Sequence, residues 1–343
     1  MQADHSVTRS GPHRLRRAAV ALWLGVLFCL FYVALVALLG PYLPQNFLPD
    51  AGASWYYWKL PEATALGRLT AWGGYLLHQA AIWVLIYQAQ AGRLKYSATL
   101  HPINLMALTV NAVFVLLHLA QTQVWYDGLA QDVSIWSSQG SVVLLLVLVL
   151  LMENSRRGLF FGRRVAALVR PGQVVRKYHG YVFSWAVIYT FWYHPMEDTP
   201  GHLLGTFYTL LLMLQGSLFF TTRHTNRYWT VTLEVMVLLH GVLVAYLTNP
   251  GAWTMFGFGF AGIFIITQMH GLGWSKGLRT LFVAAYGLAA VAVYGGREWW
   301  AYEELLRIPL IEYGLVFLLA LLITGATRLV TRRDGSAGMQ VSP

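Results

Sequence analysis

The chain has one cysteine, Cys29, set in an apolar run, so no intrachain disulfide can form and thiols say nothing about redox compartment. Charge is scarce as well. Asp, Glu, Lys and Arg supply 11% of the 343 residues, against about 25% in a soluble domain. This excludes an ordinary water-soluble globular chain. Recognisable catalytic motifs are missing too. There is no Walker loop, no G-x-S-x-G elbow, no C-x-x-C pair and no H-E-x-x-H helix. The paired aspartate motifs of metal-diphosphate prenyl transferases are also absent, as are tandem repeats and low-complexity tracts. No chemistry can therefore be assigned by motif.

Apolar sequence dominates what remains, with 57% hydrophobic residues and a mean hydropathy of +0.52. Taking roughly 20 residues per membrane-crossing helix, spans are expected near 18–39, 69–90, 102–124, 135–152, 179–194, 201–221, 229–248, 253–272, 278–294 and 308–330. The fifth is the shortest and needs tilt or burial among its neighbours. "RLRR" before the first run resembles the start of a signal peptide. The run that follows is too long for a signal core and no A-x-A site ends it, so it reads as a retained span. The expected fold is all-α, a polytopic membrane bundle of about ten helices forming one domain over 18–333. Polar tails are expected at 1–17 and 334–343.

The basic residues set the orientation. With the N-terminus inside, every Lys and Arg except Lys59, Arg68, Arg297 and Arg307 falls on the cytoplasmic side. The C-terminus then returns to the cytoplasm, and a bacterial inner membrane suits this pattern. The net charge of +10 is thus positive-inside bias rather than a nucleic-acid footprint. The long inner stretch "RRGLFFGRRVAALVRPGQVVRK" has Arg clusters flanking apolar residues, as expected of a segment lying on anionic headgroups. Most carboxylates, Asp50 among them, fall outside, and the outer stretches "WYYWKLPEATALGR" and "REWWAYEELLR" are aromatic, as interface belts are.

Ionisable groups inside a bilayer are costly, so their depth is the main functional clue. His101, His179, His224 and His270 are expected near the inner face, beside Arg223, Asn226 and Arg227. If their helices are neighbours, they form a basic pocket suited to a phosphate, an anionic headgroup or a coenzyme thioester. Arg would hold the anion while a His acts as base. The alternative is that these residues meet headgroups and helix ends. Glu234 reads as the one carboxylate well inside a span, with Gln215 and Gln268 as candidate partners. His240 lies about 120° round the same helix, so the two share no tight face. A small and polar stripe on span six, His202, Gly205, Thr206, Thr209, Met213, Gly216 and Phe220, reads first as a packing face with its Thr hydroxyls bonded to backbone.

The segment "HPMEDTPGH" brings His194, Glu197, Asp198 and His202 into one short connection. These are metal-ligand types, but the spacing matches no known motif. A hairpin turn also accounts for them: Asp198 or Thr199 as cap, Pro200 in the first turn, Glu197 at the positive helix end. Haem is the other cofactor considered. The pairs His179/His194 and His101/His118 are offset by about 60° and 100°, so neither helix presents two ligands on one face. His78, His118 and His240 are left as single candidates.

The leading expectation is a membrane enzyme, a transferase of acyl or other groups, acting on a lipid or lipid-linked substrate. It would use His224, His270, His179 and Glu234 for catalysis and Arg223, Arg227, Asn226, His101 and Gln268 for binding. Three alternatives stand beside it: a haem or metal redox protein, a proton-coupled transporter using Glu234, and a non-catalytic assembly factor. Membrane lipids are the expected partners.

Overall fold

Each apolar run becomes a helix because its backbone polar groups can be satisfied without water only within the helix itself. In the computed structural model, residues 12–43 and 59–337 are described, with side chains for 19–43 and 59–329. Arg9, Asp50 and the aromatic run at 55–58 lie outside the described residues, as do the side chains of Arg14, Arg16, Arg17, Arg332 and Arg333.

Among the described residues there are ten α-helices and no strand. They are α1 (Pro12–Leu39), α2 (Ala65–Ala91), α3 (Pro102–Trp125), α4 (Ile135–Arg157), α5 (Val169–Tyr193), α6 (Pro200–Ser217), α7 (Arg227–Thr248), α8 (Trp253–Ile266), α9 (Lys276–Tyr294) and α10 (Glu304–Ala337). Parts of both expected tails, 1–17 and 334–343, are therefore helical. Seven helices are long and apolar enough to cross a membrane: α1, α2, α3, α4, α7, α9 and α10. They are compatible with an integral membrane protein and carry outward apolar side chains such as Trp23, Leu69, Leu77, Leu288 and Leu321. Of the other three, α5 begins ten residues before the expected span, through the basic run that holds Arg170, Arg176 and Lys177. Pro171 is tolerated there because it falls in the first turn. α8 has 14 residues, a rise of about 21 Å against a hydrocarbon core of about 30 Å.

The chain divides into two compact units, with the division falling inside α4, α5 and α7. The first comprises Met1–Ser138 and Phe183–Leu233. In it α2 packs on α3, and α6 packs on α1 and α3. Tyr32, Trp192 and Tyr193 are wholly buried. Gly74 on α2 makes room for the Trp192 ring, which would come within 2.1 Å of an added Cβ.

The second unit comprises Gln139–Val182 and Glu234–Pro343. Here α8 packs along α10 and against α9. Glu304 of α10 accepts hydrogen bonds from Thr254 (3.0 Å) and Tyr294 (3.0 Å), joining three helices at one end. At the other end Thr267 pairs with Tyr313 (2.7 Å) and donates to the Leu159 carbonyl. The inner stretch after α4 is not a free amphipathic segment along its whole length. Its first part is a tight turn, with Gly158 at φ +77°, whose Phe161 N–H donates to Ile266 O (2.8 Å). Asn154 holds the Val165 backbone at both its N–H and its carbonyl (2.9 Å each). Arg163, Arg164 and Arg170 remain exposed.

Candidate functional site

In the first unit two histidines, His78 and His118, are fully buried, and His78 sits within a directed hydrogen-bond chain. The Trp192 indole N–H donates to His78 Nδ1 (3.2 Å), which fixes the proton on Nε2. His78 Nε2 then donates to Asn111 Oδ1 (2.8 Å), and Asn111 Nδ2 donates to Ser217 Oγ (2.9 Å). Ser217 Oγ donates onward to Met213 O (2.9 Å). His118 Nε2 donates to the His194 carbonyl (2.8 Å), and its Nδ1 lies 3.0 Å from the Gln121 amide. Phe114 stacks on His78 at 4.6 Å, and the Trp192 ring lies tilted against His118 at 4.2 Å between centroids. A haem ligand needs an unengaged ring nitrogen, and both nitrogens of both rings are occupied by the fold. His240 is half-buried on α7 and belongs to the second unit.

The connection 194–202 is held from α3. Thr122, one helical turn from His118, accepts the Met196 N–H (3.1 Å), so the two α3 side chains stitch the turn down. Within the turn, Glu197 accepts from the Thr199 N–H (2.8 Å) and hydroxyl (2.5 Å). Thr199 is the residue before α6 and Pro200 the first residue in it, as expected, but the Thr199 hydroxyl serves Glu197 rather than capping the helix. His194 Nδ1 donates to Thr190 O (2.9 Å). His202 Nε2 pairs with Thr206 (3.1 Å), with Nδ1 3.8 Å from Glu197. The exposed Asp198 side chain lies over Gly40. Among the described residues no three His, Cys, Asp or Glu side chains group as a metal would require. Burial pushes the Glu197 carboxyl up to about 7, with Asp198 adding to the effect and the two Thr199 donors opposing it. On span six, Thr209 bonds back to Gly205 O (2.9 Å), and Phe220 lies beyond the end of α6.

The four inner histidines divide between the units: His101 and His224 in the first, His179 and His270 in the second. His224 Nδ1 donates to Gln215 O (2.9 Å), and Gln215 answers at the His224 carbonyl (2.8 Å) and accepts from Trp229 Nε1 (2.6 Å). This clasp holds the α6–α7 connection. Asn226 Oδ1 accepts the Tyr228 and Trp229 N–H groups (3.0 and 3.1 Å), capping α7. Arg227 lies over the Tyr228 ring, while Arg223 is half-buried. His101 Nε2 donates to Lys95 O (3.1 Å). His179 Nδ1 donates to Arg176 O (2.7 Å). His270 Nδ1 accepts from Arg279 (3.0 Å), and its Nε2 donates to Ile265 O (3.2 Å).

The second unit holds the strongest polar feature. Arg157 Nη1 and Nη2 both donate to Glu234, at 3.0 and 2.6 Å, with side-chain exposures of 0% and 8%. Glu234 is therefore paired with an arginine, and neither Gln215 nor Gln268 is its partner. By sequence Arg157 groups with the loop charges of the inner stretch. Its neighbour Arg156, about 100° round the helix, does face out and pairs with Glu153 (2.6 Å). Glu234 is also not the only carboxylate inside a span. Glu312 of α10 is 3% exposed, and its Oε2 has no hydrogen-bond partner among the described residues.

Beside the ion pair is a cavity of about 480 Å³ between α4, α7, α8 and α9. Its walls are almost wholly apolar, including Leu150, Val237, Phe258 and Phe264, with Glu234 and Gln268 among its few polar groups. Its volume lies within the range of about 300–1,000 Å³ typical of small-molecule sites. No family model, curated protein or solved structure matches the chain.

Proposed function

We propose that this chain is a multi-pass inner-membrane protein of a bacterium that acts on a lipid or lipid-linked substrate. Ten helices would cross or enter the bilayer, with both termini cytoplasmic, in keeping with the positive-inside distribution of Lys and Arg. The observation that carries the reading is the second unit's cavity: apolar walls for a hydrocarbon chain, with the Glu234 carboxylate and the Gln268 amide at its polar part. An apolar chain gains little by leaving lipid for an apolar wall, so specificity must come from these polar groups. Group transfer on the bound molecule is the proposed reaction, with Glu234 the cavity's one carboxylate among the described residues.

The test is native mass spectrometry of gently extracted protein. Wild type should retain one lipid that resists exchange, and Ala261→Trp and Ala289→Trp, which fill the cavity from α8 and α9, should lose it. Equal retention by all three proteins would reject the cavity as the lipid site.

A further inference from the structure

We infer that the cavity selects a neutral hydroxyl-bearing lipid, such as a long-chain or isoprenoid alcohol or a glycerolipid with a free hydroxyl, over an anionic one. The inference rests on the lipid reading above and names its headgroup.

Among the described residues Glu234 is the one acidic or basic residue lining the cavity, and it faces a guest as one end of its ion pair with Arg157. Both Glu234 oxygens hold Arg157, which does not itself line the cavity, so a guest stands nearer the carboxylate end of the pair than the guanidinium. A carboxylate or phosphate entering here would meet like charge in a low-dielectric site, which is costly. Carboxylate oxygens keep further lone pairs after a bidentate pair forms, so Glu234 can still accept a hydrogen bond. Gln268 supplies the complement. It is 5% exposed, lines the cavity, and its side-chain amide makes no hydrogen bond among the described residues. An amide on an otherwise apolar wall gains from a ligand atom that accepts its N–H. A hydroxyl meets both demands together. Its O–H donates to Glu234, and its oxygen accepts from Gln268 Nε2–H. A methyl ether meets only the second demand, and a plain alkane meets neither.

Diazirine-bearing probes of one chain length separate these cases: an alkane, a methyl ether, a primary alcohol and a carboxylic acid. Each is photolysed with the whole protein in nanodiscs, and labelling of the α7 and α8 cavity peptides is read by mass spectrometry against probe concentration. The alcohol should half-saturate at about tenfold lower concentration than the ether, since a hydrogen bond to a charged acceptor is the stronger kind. The ether should in turn precede the alkane by about fivefold, and the acid should label least. Gln268→Leu should still be labelled by the alkane, and its thermal unfolding midpoint in detergent serves as the control for folding. The substitution should bring the ether down to the alkane and weaken the alcohol several-fold. Equal labelling by alcohol, ether and alkane, preference for the acid, or an alcohol response unchanged in Gln268→Leu would each overturn the headgroup assignment while leaving the lipid reading intact. Failure of all four probes to label the cavity would sink the lipid reading itself, and the headgroup with it.

Discussion

Replacing Glu234 by leucine should be among the most damaging single substitutions in the second unit. The change leaves Arg157, whose side chain is 0% exposed, as a buried cation without its counter-ion. Arginine cannot shed its proton to escape this, and breaking a buried pair from one side costs about 3–5 kcal/mol. Arg157→Leu likewise breaks the pair from one side and should also destabilise. The double variant Arg157→Leu/Glu234→Leu removes both charges and should recover most of the loss, since a buried pair replaced by apolar groups is often near neutral. Thermal unfolding in detergent micelles reads the series. At about 2–4 °C per kcal/mol for a unit of this size, Glu234→Leu should lower the midpoint by about 6–20 °C. A double variant as unstable as Glu234→Leu would show that the two residues do not act as a pair, and the reasoning would fail.

Three further outcomes are expected. The folded-state carboxyl of Glu197 is raised from its ordinary 4.5 to about 7, so its contribution to stability is full below pH 4.5 and is lost as pH rises through 7. The wild-type midpoint should therefore fall relative to that of Glu197→Gln across this window, and a relative rise would refute the sign. Asn111→Leu strips His78 Nε2 of its acceptor and should destabilise by about 1–3 kcal/mol; a neutral result in the same unfolding assay would mean that the buried chain contributes nothing. Gly74→Ala drives a methyl into the Trp192 ring and should cost about 1–3 kcal/mol through overpacking, a loss that Gly74→Ala/Trp192→Leu should partly recover.

Helix existence was legible in the sequence because membrane helices satisfy their own backbone, so each apolar run reports one element without reference to its neighbours. The turn at 194–202 was legible for the same local reason: Pro200 and the residue before it mark the start of α6 whatever surrounds them. Pairing between distant segments was not. Arg157 and Glu234 are 77 residues apart, and hydropathy places Arg157 with the loop charges because it ends α4 beside Arg156. Only the packing of α4 and α7 separates the two arginines. The partners of the histidines were hidden for a related reason. Depth along a span says nothing about azimuth or partners, and His78, His118, His224 and His270 turn out to be engaged by Trp192, Asn111, Gln215, Arg279 and nearby carbonyls. Gln268 reads in the sequence as a possible partner of Glu234, but its place on a cavity wall depends on four helices at once.

The most direct measurement is a cryo-electron-microscopy map of the protein in lipid nanodiscs. An elongated density lying between Leu150, Val237 and Phe258, with its end at Glu234 and Gln268, is the predicted result. A cavity closed by side chains, or one filled with water and no chain-like density, would contradict the lipid reading.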